Sequence, residues 1–170
     1  MLSKTDELKK IRDEVFAFAG VLADERRKNN VFPVLGEGSH DAKVVFIGEA
    51  PGKNEAATGK PFCGSAGRVL DELLASVHIE RKDVYVTNIV KDRPPMNRDP
   101  FPDEIVLYAP FLMRQINAIQ PKVIATLGRF SMQFILEKFA PLTLGGISAL
   151  HGTVIEGEAP YGAITIVPLF

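Results

Sequence analysis

Lys43-Val-Val-Phe-Ile-Gly-Glu-Ala-Pro-Gly52 decides the fold: an unbroken apolar run leaves into a turn with two glycines. Apolar side chains at consecutive strand positions mean burial on both faces, as in a parallel sheet covered by helices. Three stretches of the same kind follow: Asp83-Val-Tyr-Val-Thr87 running into Asn88, Lys122-Val-Ile-Ala-Thr-Leu127, and Ala163-Ile-Thr-Ile-Val167. Helical patterns alternate with them. One starts near Ser65 with Val69, Leu70, Leu73, Leu74 and Val77 on its apolar face; others run from Pro102 to Ile119 and from Phe130 to Phe139. Ahead of the first strand, Ser3-Lys-Thr-Asp-Glu7 is a capped helix start. Leu8, Ile11, Val15, Phe18 and Leu22 extend that helix toward Asn29, giving one N-terminal helix over about 3–29. Gly145 to Gly152 is loop-like. The expectation is a single domain over 1–170, a three-layer α/β/α sandwich around a central, mainly parallel four-stranded sheet.

Composition narrows the class. The chain has 170 residues, enough for one α/β domain with a real core and too few for two. Apolar residues make up 46%, which excludes a disordered chain. No apolar run has membrane-spanning length, and the charged start (Lys4, Asp6, Glu7, Lys9, Lys10) is not a secretory signal. One cysteine, Cys63, rules out an internal disulfide and an all-cysteine metal site. A cytoplasmic, monomeric protein with no membrane partner is expected. Twenty basic against twenty-one acidic residues leave a net charge of −1. Any hold on nucleic acid is therefore local rather than a broad neutralisation of phosphates.

Ligands of such sheets bind beyond the carboxyl ends of the strands. The unusual residues gather there: Gly48-Glu-Ala-Pro-Gly52, Asn88 to Arg98, and Gly128-Arg129. The first lets backbone approach a ligand, or is a plain structural turn. Neither phosphate fingerprint is present: no Gly-Lys-Ser/Thr follows it, and no Gly-x-Gly-x-x-Gly occurs. In Lys60-Pro-Phe-Cys-Gly64, Phe62 covers core or offers a platform to a flat ring. Asn88 caps a turn, or presents one donor and one acceptor together to a base edge. Lys91 to Pro100 is a proline-stiffened loop with three cations, either a solvated crossover or a rigid edge against a DNA backbone.

Taken jointly the motifs are specific. Gly48-Glu-Ala-Pro-Gly52, Thr58-Gly-Lys-Pro-Phe62, Gly64-Ser-Ala-Gly67, Val84-Tyr-Val-Thr-Asn-Ile-Val-Lys91, Arg93-Pro-Pro-Met-Asn-Arg-Asp-Pro100 and Pro121-Lys-Val-Ile-Ala-Thr-Leu-Gly128 follow in order. Over Gly36 to Phe170 this resembles the family-four, iron–sulfur-type uracil-DNA glycosylases. The resemblance implies hydrolysis of the bond between uracil and deoxyribose in DNA, leaving an abasic site. It implies that Phe62 stacks on the flipped base, that Asn88 reads its edge, and that backbone around Gly48, Glu49 and Ala50 meets its carbonyls. Glu49 or Glu55 would handle the attacking water or the sugar's positive charge. Lys91, Arg93, Asn97 and Arg98 would contact DNA.

Two departures are expected. The family's four cluster cysteines align with Ala17, Gly20, Asp92 and Tyr108, so no iron–sulfur cluster and no other metal or cofactor is expected. Ordinary packing would replace that staple, with Tyr108 and the N-terminal helix as substitutes and Cys63 a small packed residue. The last strand also reaches Phe170 short of the family's His-Pro motif, so the sequence reads as truncated before it, and His40, His78 and His151 stand elsewhere. A catalytically silent uracil- or DNA-binding module with the same fold is the alternative.

Overall fold

A computed structural model describes residues 3–141, 143 and 145–169. Phe170, where the resemblance ends, lies outside the described residues. Helix α1 (Lys4–Ala17) starts on Ser3, whose Oγ accepts from the Asp6 amide at 3.1 Å. Leu8, Ile11 and Val15 form its buried stripe. The single helix expected over 3–29 is corrected to two, because Phe18 leaves helical geometry and α2 spans only Val21–Lys28. The Phe18 ring turns edge-on to Tyr108 and Phe111, with centroids 5.2 and 5.3 Å away. Packing of one aromatic outweighs a helical register that Gly20 supports poorly.

The four anticipated strands are present: β2 (Val44–Gly48), β3 (Tyr85–Asn88), β4 (Val123–Leu127) and β6 (Gly162–Leu169). They pair in parallel in the order β3-β2-β4-β6. The expected four-strand count is corrected to six among the described residues. β1 (Glu37–Gly38) pairs antiparallel with β3, and β5 (Ile155–Ala159) forms a hairpin with β6 around Pro160-Tyr161. Neither carries a β-branched run: β1 is two residues long, and β5 reads Ile-Glu-Gly-Glu-Ala.

Side chains alternate across the sheet, so Val45 and Ile47 join Ile124 and Ile166 in one core, and Phe46 joins Val86 and Ala125 in the other. The first core is closed by α1, α5 (Pro102–Ile119) and α6 (Arg129–Phe139). The second is closed by Leu70 and Leu74 of α4 (Ser65–Ser76). That is the expected three-layer sandwich. Arg114 of α5 ties the outer helices together by pairing with Glu7 and Glu14 of α1. Short helix α7 (Ile147–Leu150) corrects the loop expected over 145–152, and α3 (Lys53–Thr58) follows the turn after β2. No described helix is long and apolar enough to cross a membrane. The parallel register brings Gly48, Asn88, Gly128 and Leu169 to one edge.

Candidate active site

Gly48 and Asn88 are direct partners in the β2–β3 ladder. A Cβ on Gly48 would overlap the Asn88 Oδ1 and the rim of the Phe62 ring, so both groups rest on this glycine. Phe62 is held there against its own backbone preference, with φ at +49°. Several bonds fix it. Glu55 Oε1 accepts from the Cys63 and Gly64 amides at 3.0 Å each, and Arg81, paired with Asp71, donates to the Pro61 carbonyl at 2.6 Å. Gly67 lies so close beneath the Phe62 carbonyl that any side chain would collide with it.

These walls enclose a cavity of about 300 Å³ lined by Ala50, Asn54, Glu55, Phe62, Asn88 and Asn97, among others. Asn88 is only 2% exposed, and no described residue hydrogen-bonds its side-chain amide. An amide on a cavity wall, with no partner among the described residues, is open to a ligand.

Behind Asn88 the polar groups are satisfied. Lys91 Nζ donates to the Asn88 carbonyl at 2.6 Å, to Thr87 Oγ1 at 2.8 Å and to Gln115 Oε1 at 2.5 Å. Gln115 Nε2 continues to the Leu35 carbonyl at 2.8 Å. Lys91, expected to contact DNA, is corrected: it is fully buried and cannot reach a backbone outside. Among the described residues no carboxylate is a partner of Lys91, and burial lowers its pKa well below the ordinary 10.5.

The two candidate carboxylates differ in surroundings. Glu55 lines the cavity, but one oxygen is committed to the two amides that hold Phe62. Glu49 lies beside the cavity rather than in its wall, packed over Gly128 with Oε1 accepting from the Phe130 amide at 3.2 Å. Gly128, at φ +100°, leaves the space that this carboxylate fills. Burial raises the Glu49 pKa, and the Phe130 amide offsets part of the rise.

Past Asp92 the loop is braced. Arg93 Nε donates to Asn97 Oδ1 at 2.6 Å, and both terminal nitrogens of Arg98 pair with Glu104 at 2.8 and 2.6 Å. Asn97 lines the cavity; Arg93 and Arg98 are half-buried beside it. Cys63, expected to be packed, is corrected to exposed, because its amide rather than its thiol is what Glu55 holds. His40 bonds Thr5 at 2.8 Å and His78 follows α4, both away from the strand ends that carry Asn88; His151 caps α7, next to the Gly152 amide that donates to Pro168 of β6.

The positions aligned with cluster cysteines hold a different structure. Arg26, almost fully buried on α2, donates to both oxygens of Asp92 at 3.0 and 3.1 Å. Tyr108 of α5 donates to Asp92 Oδ2 at 2.5 Å. Arg26 also donates to the Val15 and Phe16 carbonyls at the end of α1. One carboxylate thus joins α1, α2, α5 and the loop after β3. Burial raises the Asp92 pKa, against the lowering pull of Tyr108 and Arg26.

A family model described as the uracil DNA glycosylase superfamily matches residues 35–170. The chain belongs to the uracil-DNA glycosylase superfamily. Among curated relatives, a type-4 uracil-DNA glycosylase of Archaeoglobus fulgidus is 44% identical over 145 residues, covering 85% of this chain and 71% of the relative. Type-4 enzymes of Sulfurisphaera tokodaii and Saccharolobus solfataricus are 46% and 47% identical over 134 residues, 78% of this chain. The chain spans only 60% and 61% of those two relatives' lengths.

The iron–sulfur cluster implied by the family-four resemblance does not fit the residues present. Ala17 and Gly20 have no ligating atom, both Asp92 oxygens are engaged, and the Tyr108 hydroxyl is spent on Asp92. Among the described residues no group of three or more His, Cys, Asp or Glu could hold a metal ion. Sequence reasoning missed Arg26 and Gln115, since nothing in a helical Asp-Glu-Arg-Arg-Lys run marks which cation is buried.

Proposed function

We propose that this chain is a DNA repair glycosylase that hydrolyses the N-glycosidic bond of uracil in DNA and leaves an abasic site. One observation carries the reading: the Asn88 amide, without a partner among the described residues, lines a small cavity together with the strained Phe62 ring, both resting on Gly48. Uracil offers an acceptor at O4 and a donor at N3, and a single Asn amide matches both. Phe62 supplies the stacking surface for a base extruded from the helix. Breaking the bond leaves negative charge on the uracil oxygens and positive charge on the sugar. Asn88 and backbone N–H groups at Ala50 meet the first. Glu49, as a carboxylate, orients the attacking water and supports the second. Glu55 acts through the loop it holds, as a positioning residue. Arg93 and Asn97 face the DNA backbone, with Arg98 bracing their loop on Glu104.

The reading requires no metal, and the Arg26–Asp92–Tyr108 staple supports a chain without an iron–sulfur cluster. The test is uracil release from single- and double-stranded oligonucleotides by this chain and by Glu49→Gln. Release by the first and loss of about 10²–10⁴-fold in the second is expected. Tight binding of uracil-containing DNA without any release would leave a silent binding module instead.

A further inference from the structure

Lys91 follows β3 and lies fully buried behind Asn88, with three oxygens around its Nζ: the Asn88 carbonyl at 2.6 Å, Thr87 Oγ1 at 2.8 Å and Gln115 Oε1 at 2.5 Å. All three accept. The Thr87 hydroxyl donates its proton to the Leu35 carbonyl at 2.7 Å. Gln115 Nε2 donates to the same carbonyl at 2.8 Å, which leaves its Oε1 for the lysine. A neutral amine has only two N–H groups and would set its lone pair against one of these oxygens, whereas an ammonium has a donor for each. The geometry is that of a protonated lysine. Among the described residues no carboxylate pairs with it, and neighbouring Asp92 is held by Arg26 and Tyr108. Burial lowers the Lys91 pKa, so the fold gives up stability to seat a cation here. Groups held at such a cost collect at functional sites. The residue whose carbonyl it grips also supplies the amide that lines the cavity with Phe62.

We propose that Lys91 is a positioning residue whose positive charge, acting through Asn88, favours the negative charge that uracil acquires as its bond to the sugar breaks. The proposal rests on the glycosylase reading. The C1′–N1 electron pair leaves on the base, water bonds to C1′, and the proton released by that water balances the uracil anion. Lys91 is not in the cavity wall and touches neither base nor sugar. Its charge acts on the departing anion far more than on the neutral bound base, because the interior screens it less than water would.

Lys91→Met keeps the stem and removes the charge. Single-turnover release is measured in mildly acidic buffer for uracil and for 5-fluorouracil, whose ring fluorine already stabilises the departing anion. The uracil rate should fall about ten-fold while affinity for the uracil duplex stays unchanged, and the loss for 5-fluorouracil should shrink to about three-fold. Thr87→Val, which removes one acceptor and leaves the ammonium, should keep the wild-type ratio of the two rates. Equal losses for both bases, loss of affinity in place of rate, or an altered ratio in Thr87→Val would make disturbed packing the cause and overturn the proposal. A nitrogen-15 lysine spectrum of wild type in the same buffer should show one slowly exchanging ammonium, whether or not Lys91→Met folds; its absence would also overturn the proposal. Failure of wild type to release either base would overturn the glycosylase reading itself, and the role of Lys91 with it.

Discussion

Asn88 and Asp92 lie four residues apart on one strand exit, and both are buried, yet their side chains meet opposite fates. Asp92 is bonded by Arg26 and Tyr108. The Asn88 amide has no partner among the described residues and faces the cavity. Burying a polar group costs free energy unless a partner compensates it. Where the partner is internal the group holds the fold together; where it is missing, the group is waiting for something from outside. Burial alone would have ranked both residues as core.

The comparison breaks first at the staple. Asp92→Ala leaves the Arg26 guanidinium buried without its counter-charge, and loss of one member of a buried pair costs about 3–5 kcal/mol. Urea midpoints should show a fall of that size. Tyr108→Phe, which removes only a hydroxyl, should cost about 1–3 kcal/mol. Replacing all three together, as Arg26→Met with Asp92→Leu and Tyr108→Phe, should recover most of that loss, because apolar substitutes avoid the desolvation of both ions and leave no buried hydroxyl unpaired; the Val15 and Phe16 carbonyls, which lose the Arg26 donor, keep it short of the parent. A stable Asp92→Ala protein would show that the staple adds nothing to the fold.

At the cavity the effect should be smaller and should move to activity. Asn88→Ala removes the paired donor and acceptor and should cost about 1–3 kcal/mol of transition-state stabilisation, tens-fold in single-turnover rate. Phe62→Ala should cost a similar amount, since stacking on one aromatic is worth roughly 1–3 kcal/mol per base. Neither should lower the urea midpoint as far as Asp92→Ala. Wild-type rates in both variants would sink their assigned roles.

Legibility in the sequence follows the same division. The four parallel strands were readable because burial on both faces demands runs such as Val44 to Ile47. The edge strands were not, since β1 and β5 are held by pairing to a neighbour rather than by their own composition. Phe62 and Asn88 drew attention at strand and loop ends, where ligands meet open α/β sheets, but alone they read equally as core cover and turn cap, and only the joint motifs and the family they resemble gave them roles. Lys91 was misread for a physical reason. A lysine in a cationic loop is normally solvated, and only the fold brings Gln115, 24 positions away, to its Nζ. Arg26 escaped notice likewise: it is chemically identical to Arg27 beside it, and only packing separates them.

The finest test of the comparison is therefore Lys91, which sits between its two poles and braces the Asn88 carbonyl without a counter-ion. Its pKa in the fold is lowered from 10.5 because burial disfavours the charged form. In the unfolded chain the same lysine keeps an ordinary value. Between the lowered value and 10.5 the unfolded state then binds more protons than the folded state. Stability must rise with pH across that window, and the contribution is lost as pH falls below it and both states are protonated alike. Lys91→Met removes the titrating group while keeping a stem of similar shape. The difference in urea midpoint between parent and variant, followed from about pH 7 to about pH 10, should grow in favour of the parent as pH rises. Other titrating groups cancel in that difference. A constant difference would mean that Lys91 keeps its proton in the fold, stabilised by Thr87, Gln115 and the Asn88 carbonyl well enough to offset its desolvation.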